Sequence, residues 1–210
     1  AIANAGLTKE DIEAAGVGSP GAIDPHNGVV CFANNLGFLN LPMASMLKER
    51  TGIDFYLEND ANAAAYGEFI AGAGKGTKDF VMITLGTGVG GGIIVDGKIY
   101  AGSNFAGAEI GHTVIEVDGA QCSCGRKGCF EAYSSATGLI RMSKEAMAEN
   151  PDSVMNKLAQ ERGKVNARTA FDAMREGDSV AKAVVDKYIK YLAAGITNAI
   201  NIFQPDILCI

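Results

Sequence analysis

Cys122, Cys124 and Cys129 fall within eight residues of one another, on a loop that also holds Gly125 and Gly128, and His112 lies ten residues upstream of the first thiol. Three thiolates and one imidazole make the donor set of a closed tetrahedral zinc site, and the glycines let so short a loop turn its thiols inward. Glu109 and Glu131 flank these four residues. Carboxylates in those positions can bind the hydroxyl groups of a polar ligand and need not touch the metal. Thiols spaced this tightly do not form a disulfide framework and suit a metal in a reducing compartment.

Two further stretches carry residue types that do chemistry. Glu58-Asn59-Asp60 precedes an alanine-rich run to Glu68. Asp60 is either the N-cap of the helix that follows or a carboxylate at the end of a strand, where α/β folds place ligands and a general base is at home. The apolar run Phe80–Leu85 enters Gly86-Thr87-Gly88-Val89-Gly90-Gly91-Gly92. Gly86, Gly88 and Gly91 formally satisfy a dinucleotide-binding pattern, but that pattern needs a helix after the glycines. Here β-branched Ile93-Ile94-Val95 follows, then Asp96-Gly97, a strong two-residue hairpin signal. Strand, glycine turn, strand instead presents backbone N–H groups and the Thr87 hydroxyl to an anion such as phosphate; the alternative is a glycine-rich hairpin with no ligand. Gly18-Ser19-Pro20-Gly21 and Asn34-Asn35 add a turn that lets a ligand approach the backbone and amides that either contact a polar ligand or make turns.

The elements that must position these groups read as α/β. Thr8–Asp11 with Ile12 and Ala14-Ala15 predicts a short helix stopped by Gly16. Val17–Ile23 reads as the end of a strand entering a glycine and proline turn, strands are predicted at Val29–Phe32 and Phe55–Leu57, and a helix from Pro42 to Gly52 lies between the last two. Gly72–Thr77 is expected to be a flexible hinge dividing an N-terminal lobe, residues 1–74, from a C-terminal lobe, residues 75–210. Beyond the cysteines the periodicity turns helical at Ala132–Glu149, Ser153–Arg162, Ala167–Arg175 and Asp178–Phe203, and Ile207–Ile210 begins another strand.

The 210 residues suffice to bury a substantial core, and 48% hydrophobic with 20% charged residues is an ordinary globular balance. A net charge of −6 with no basic run gives no general attraction to nucleic acid or to an anionic membrane. No apolar run approaches the roughly 20 residues of a membrane span, so a cytoplasmic protein is expected. The chain starts without Met and stops in an apolar, strand-like run, and a fragment cut at both ends is expected.

Taken in order, G-S-P-G at 18–21, E-N-D-A-N at 58–62, L-G-T-G-V-G-G-G at 85–92, and E-I-G-H with C-S-C-G-R-K-G-C-F-E across 109–131 resemble the ROK family of sugar kinases and sugar-responsive repressors. The resemblance implies an actin-like ATPase (ribonuclease H-like) fold of two lobes, and ATP-dependent phosphorylation of glucose or a related hexose at its 6-hydroxyl. The family also implies an alternative, a sugar-responsive transcriptional repressor. By the same resemblance Asp60 is the catalytic base. Asn59, Asp60, Glu109, His112 and Glu131, with Gly21 and Asn34, bind the sugar, and Gly86, Thr87 and Gly88 face the nucleotide phosphates. His112, Cys122, Cys124 and Cys129 hold a structural Zn²⁺, Mg²⁺ arrives with ATP, and the full-length protein is a homodimer or homotetramer. Family kinases also carry an Asp-x-Gly-Gly-Thr phosphate loop and a C-terminal adenosine-binding turn that this sequence lacks, so weak nucleotide binding and little activity are expected of it.

Overall fold

The computed structural model describes residues 2–33 and 36–210. The chain forms two compact units, one of residues 1–82 with 92–108 and the other of residues 83–91 with 109–210.

In the first unit β1 (Ala14–Ser19) pairs in parallel with β5 (Asp54–Asn59), in a register running from Ala14 opposite Asp54 to Ser19 opposite Asn59. Between them in sequence, β2 (Ala22–Asp24), β3 (Val29–Ala33) and β4 (Phe38–Leu41) form an antiparallel three-stranded sheet. Ile23, Val30, Ala33 and Leu57 are its buried core. Helix α1 (Met43–Thr51) begins after Pro42 and ends at Gly52, which takes the left-handed conformation that closes a helix. Helix α2 (Asp60–Ala71) follows β5 directly.

The helix predicted to end at Gly16 is a single 3-10 turn, Lys9–Asp11, capped by Thr8. Ala14-Ala15 and Gly16 belong instead to β1, because pairing with β5 satisfies their backbone groups where an isolated turn of helix would not. The stretch expected to be a flexible hinge is a closed set of turns inside the first unit. The N–H groups of Gly72 and Gly74 both donate to the Glu68 carbonyl, and the Thr77 hydroxyl donates to the Gly74 carbonyl at 2.6 Å.

A four-stranded sheet has the order β8-β7-β6-β9, built from β6 (Phe80–Leu85), β7 (Val89–Val95), β8 (Lys98–Ile99) and β9 (Ile207–Cys209). Asp96 and Gly97 turn between β7 and β8 with φ of 49° and 76°, the conformation their sequence predicts. The turn after β6 is shorter than expected, since Gly90, Gly91 and Gly92 lie within β7. Gly92 has a packing reason: a β-carbon there would sit 2.3 Å from that of Ala65 on α2.

The second unit is mostly helical: α3 (Phe130–Ser134), α4 (Ala136–Glu149), α5 (Val154–Glu161), α6 (Thr169–Arg175) and the 25-residue α7 (Ser179–Phe203). The single helix predicted over Ala132–Glu149 is two. Ser135 is extended between them and its hydroxyl accepts from the Gly138 N–H, capping α4. The core joins Tyr133, Leu139, Met142, Met155, Leu158, Val184 and Val185 with two of the cysteines, Cys122 and Cys129. Among the described residues no helix is long and apolar enough to cross a membrane.

Candidate functional site

In the first unit β5 delivers Glu58, Asn59 and Asp60 to its C-terminal end. Asn59, not Asp60, caps α2: its side-chain oxygen accepts from the N–H groups of Ala61 and Asn62 at 2.9 and 3.1 Å. Its amide nitrogen donates to the carbonyl of Gly21, in the turn between β1 and β2, at 3.0 Å. Asp60 is therefore relieved of capping. It is exposed, and among the described residues only its Oδ1 is engaged, accepting from the adjacent Ala61 N–H. Glu58 accepts through one oxygen from the Asn59 N–H and from the side chain of Asn62, and lines a cavity of about 450 Å³ with His26, Tyr100, Ser103 and Phe105. Asn34 lies outside the described residues.

In the second unit Glu109 precedes a 3-10 turn, Ile110–His112, and its exposed carboxylate makes no hydrogen bond among the described residues. The turn presents His112 to the cysteine loop. Backbone bonds shape that loop: Phe130 N–H to the Thr113 carbonyl at 2.8 Å, Gly128 N–H to Ala120 at 2.8 Å and Cys122 N–H to Arg126 at 2.9 Å. From outside, the Tyr133 hydroxyl accepts from the Ala120 N–H at 2.7 Å, and its ring stacks on Tyr191 at 4.1 Å.

The four sequence-predicted ligands converge, with one donor atom of each of His112, Cys122, Cys124 and Cys129 within 4.8 Å of the others. A tetrahedral zinc with metal–sulfur bonds of about 2.3 Å requires edges of about 3.8 Å between sulfurs. The Cys124 and Cys129 sulfurs are 3.7 Å apart, and the Cys122 sulfur is 3.7 Å from Nδ1 of His112. Donor chemistry and spacing both fit zinc, with Nδ1 turned to the thiols. Burial, reinforced by the neighbouring Cys124 and Cys122, pushes the Cys129 thiol up to about 12, whereas the Arg126 N–H holds that of Cys124 below its ordinary value.

Gly86, Thr87 and Gly88 form the turn between β6 and β7. The Ala136 N–H donates to the Gly86 carbonyl at 2.9 Å and the Thr137 hydroxyl to the Thr87 carbonyl at 2.7 Å, so both carbonyls face the start of α4. The N–H groups of Thr87 and Gly88 make no hydrogen bond among the described residues. Two adjacent free N–H groups beside a hydroxyl on an exposed turn are equipped to meet an anion. Glu131 takes a position that sequence did not reveal. Its Oε2 accepts from the Val89 N–H at 3.0 Å, and its Oε1 accepts from the Ser123 hydroxyl at 3.0 Å. Ser123, Ala136 and Thr137 are the structural residues that sequence reasoning missed; for Thr137 no local pattern marks a side chain whose partner is 50 residues away.

Comparison with known proteins places these features among relatives. The model of the ROK family matches residues 2–210. The chain is 42% identical over 202 residues to a glucokinase of Thermotoga maritima, covering 96% of this chain and 64% of that protein. It is 30% identical over 210 residues to a xylose repressor of Caldicellulosiruptor bescii, covering 100% of this chain and 52% of that one. Among solved structures, a ROK family glucokinase from Streptomyces griseus in complex with glucose and AMPPNP matches with a TM-score of 0.81 and 36% identity, over 94% of this chain and 64% of that one. The chain thus spans less than two thirds of the length of these relatives.

Proposed function

The chain belongs to the ROK family, and on that basis we propose that the protein catalyses ATP-dependent phosphorylation of glucose or a related hexose at the 6-hydroxyl. Its fold is the actin-like ATPase fold of ROK sugar kinases. The observation that carries the proposal is the division of labour at the end of β5. Because Asn59 caps α2, Asp60 is an exposed carboxylate with one oxygen that no described residue engages. In the proposed reaction that carboxylate takes the proton of the sugar 6-hydroxyl as the hydroxyl oxygen attacks the γ-phosphorus of ATP and ADP departs. Phosphoryl transfer asks for positioning and charge neutralisation more than covalent chemistry, so a base, hydroxyl ligands, a phosphate turn and the Mg²⁺ that ATP brings are sufficient.

The other roles follow residue by residue. Asn59 donates one amide hydrogen to the Gly21 carbonyl and has the other left for a sugar hydroxyl; Gly21 and Asn34 are further sugar ligands that the family resemblance implies. Glu109 has its whole carboxylate available, and His112, with Nδ1 toward the thiols, has Nε2 for a hydroxyl. Glu131 has remaining acceptor capacity. Thr87 and Gly88, and with them Gly86, meet the phosphates. Zinc, when bound, supplies a structural cross-link that fixes the tautomer and direction of the His112 ring. The likeness to the glucose-bound and AMPPNP-bound Streptomyces enzyme supports glucose and ATP as the pair.

The likeness to a xylose repressor supports a second reading, a sugar-sensing regulator that binds sugar without turning over ATP. Asp60→Asn in the whole protein separates the two. The kinase reading expects turnover to fall about 10²- to 10⁴-fold while calorimetric glucose affinity stays within about threefold. An unchanged rate would return Asp60 to a structural role, and sugar binding with no turnover in the wild type would favour the regulator.

A further inference from the structure

Glu131 stands two residues after the metal ligand Cys129, in the first turn of α3, for which Cys129 is the N-cap. Ser123, whose hydroxyl donates to Glu131 Oε1, lies between two more ligands, Cys122 and Cys124. The Cys122 sulfur is itself 3.8 Å from the same oxygen. Both the backbone and the carboxylate of Glu131 are therefore held by the residues that grip the metal. The opposite carboxylate oxygen accepts from the Val89 N–H, at the end of the phosphate turn. We infer that Glu131 is a positioning residue that couples occupancy of the metal cluster to the geometry of the phosphate-binding turn.

The inference rests on the kinase reading for the identity of the anion, and on geometry alone for the coupling. An ionised carboxylate offers about four acceptor sites, and the Val89 N–H and the Ser123 hydroxyl use two, so a sugar hydroxyl can still be bound. The far side of the turn is held differently. The Gly86 and Thr87 carbonyls are bonded by Ala136 and Thr137 at the start of α4, which is capped by Ser135 and packed in the helical core. Metal loss should thus release the Val89 side and leave the carbonyl side in place, turning the free Thr87 and Gly88 N–H groups without unfolding the turn. A carboxylate bond to a backbone N–H is charge-assisted and directional, which is what a positional coupling requires.

Amide exchange and ¹H–¹⁵N shifts on the labelled chain, with bound zinc and after chelation, test this without any turnover. Chelation is expected to speed exchange of the Val89 N–H at least about tenfold and to shift Thr87 and Gly88. Ser123→Ala keeps all four ligands, so it should retain one zinc per chain and still speed Val89 exchange; Glu131→Ala should give fast Val89 exchange that chelation no longer alters. Unchanged Val89 exchange in both chelated wild type and Ser123→Ala, with the Ser123 and Cys124 amides of the wild type shifting as zinc leaves, would overturn the coupling. In the whole protein Ser123→Ala should raise KM for ATP severalfold while KM for sugar stays within about twofold; a rise confined to sugar would overturn the coupling as well. If the protein turns out not to phosphorylate sugars, the kinase reading fails and the exchange data still decide the role of Glu131.

Discussion

A β-carbon added at Gly88 would lie 2.4 Å from Oε2 of Glu131, the oxygen that accepts from the Val89 N–H. The obstacle is the end of a flexible side chain, so Gly88→Ala is expected to fold and to displace that carboxylate. The cost is one charged hydrogen bond, about 1–2 kcal/mol. Glu131→Ala removes the obstacle and the bond together, so Gly88→Ala should cost almost nothing in that background. A double-mutant cycle by urea denaturation measures the difference, and additive effects would show that the two residues do not interact. Sequence picks out Gly88 as a member of a phosphate turn, and it picks out Glu131 as a hydroxyl ligand. It could not show that each explains the other, because the Val89–Glu131 bond that brings them together joins residues 42 positions apart through a fold that no local pattern describes. The convergence of His112, Cys122, Cys124 and Cys129 was legible for the opposite reason: three of the four sit on one short loop, where spacing alone forces proximity.

The element with the most informative start is α7. Asp178 caps it, accepting from the N–H groups of Val180 and Ala181 at 2.7 and 3.1 Å, and reaches across to the start of α5, where its other oxygen accepts from the Ser153 hydroxyl at 2.6 Å and the Val154 N–H at 2.7 Å. Burial alone would raise its pKa; the Ser153 hydroxyl and the backbone N–H groups outweigh burial and hold it below the ordinary carboxylate value. A lowered folded-state value means that the carboxylate stabilises the fold above its unfolded pKa of about 3.9, and that this stabilisation is lost as pH falls through the folded value. Asp178→Ala is expected to lose about 2–3 kcal/mol at pH 7, from one cap and two cross-helix bonds. Denaturation at several pH values should show a constant deficit from pH 7 to about 5 that narrows below about pH 4. Helix starts of this kind are written locally, as Asp178, Ser153 and Pro42 illustrate, and so were readable. The break at Ser135 was not, since Ser134, Ser135 and Gly138 weaken a helix without any one of them stopping it. What breaks it is the combination of the Gly138 cap and the bonds that carry Ala136 and Thr137 to the glycine turn. Of the strand at Ala14–Ser19 only the end from Val17 was legible; Ala14-Ala15 and Gly16 were missed in the same way, their identity fixed by partners 40 residues on.

Across the whole molecule, each compact unit has its own core, Ile23, Val30, Ala33 and Leu57 in the first and the helical cluster in the second. The candidate metal ligands belong to the second: Cys129 is fully buried and Cys122 is 5% exposed, both packed into that cluster. A buried thiol is a small apolar group when protonated, so loss of metal leaves a core that is still packed. Chelation should therefore speed amide exchange over residues 110–131 without unfolding the second unit, and leave the exchange rates of β1, β3 and β5 unchanged. The pH dependence of metal capture has a definite sign. With its thiol at about 12, Cys129 is protonated at neutral pH without metal and must lose that proton to become a ligand. Zinc affinity is then expected to rise about tenfold per pH unit for each proton expelled, at least one of them from Cys129, across pH 6 to 8. Competition titrations with a chelator of known pH dependence measure that slope. A flat profile would mean that the thiols are already ionised before zinc arrives.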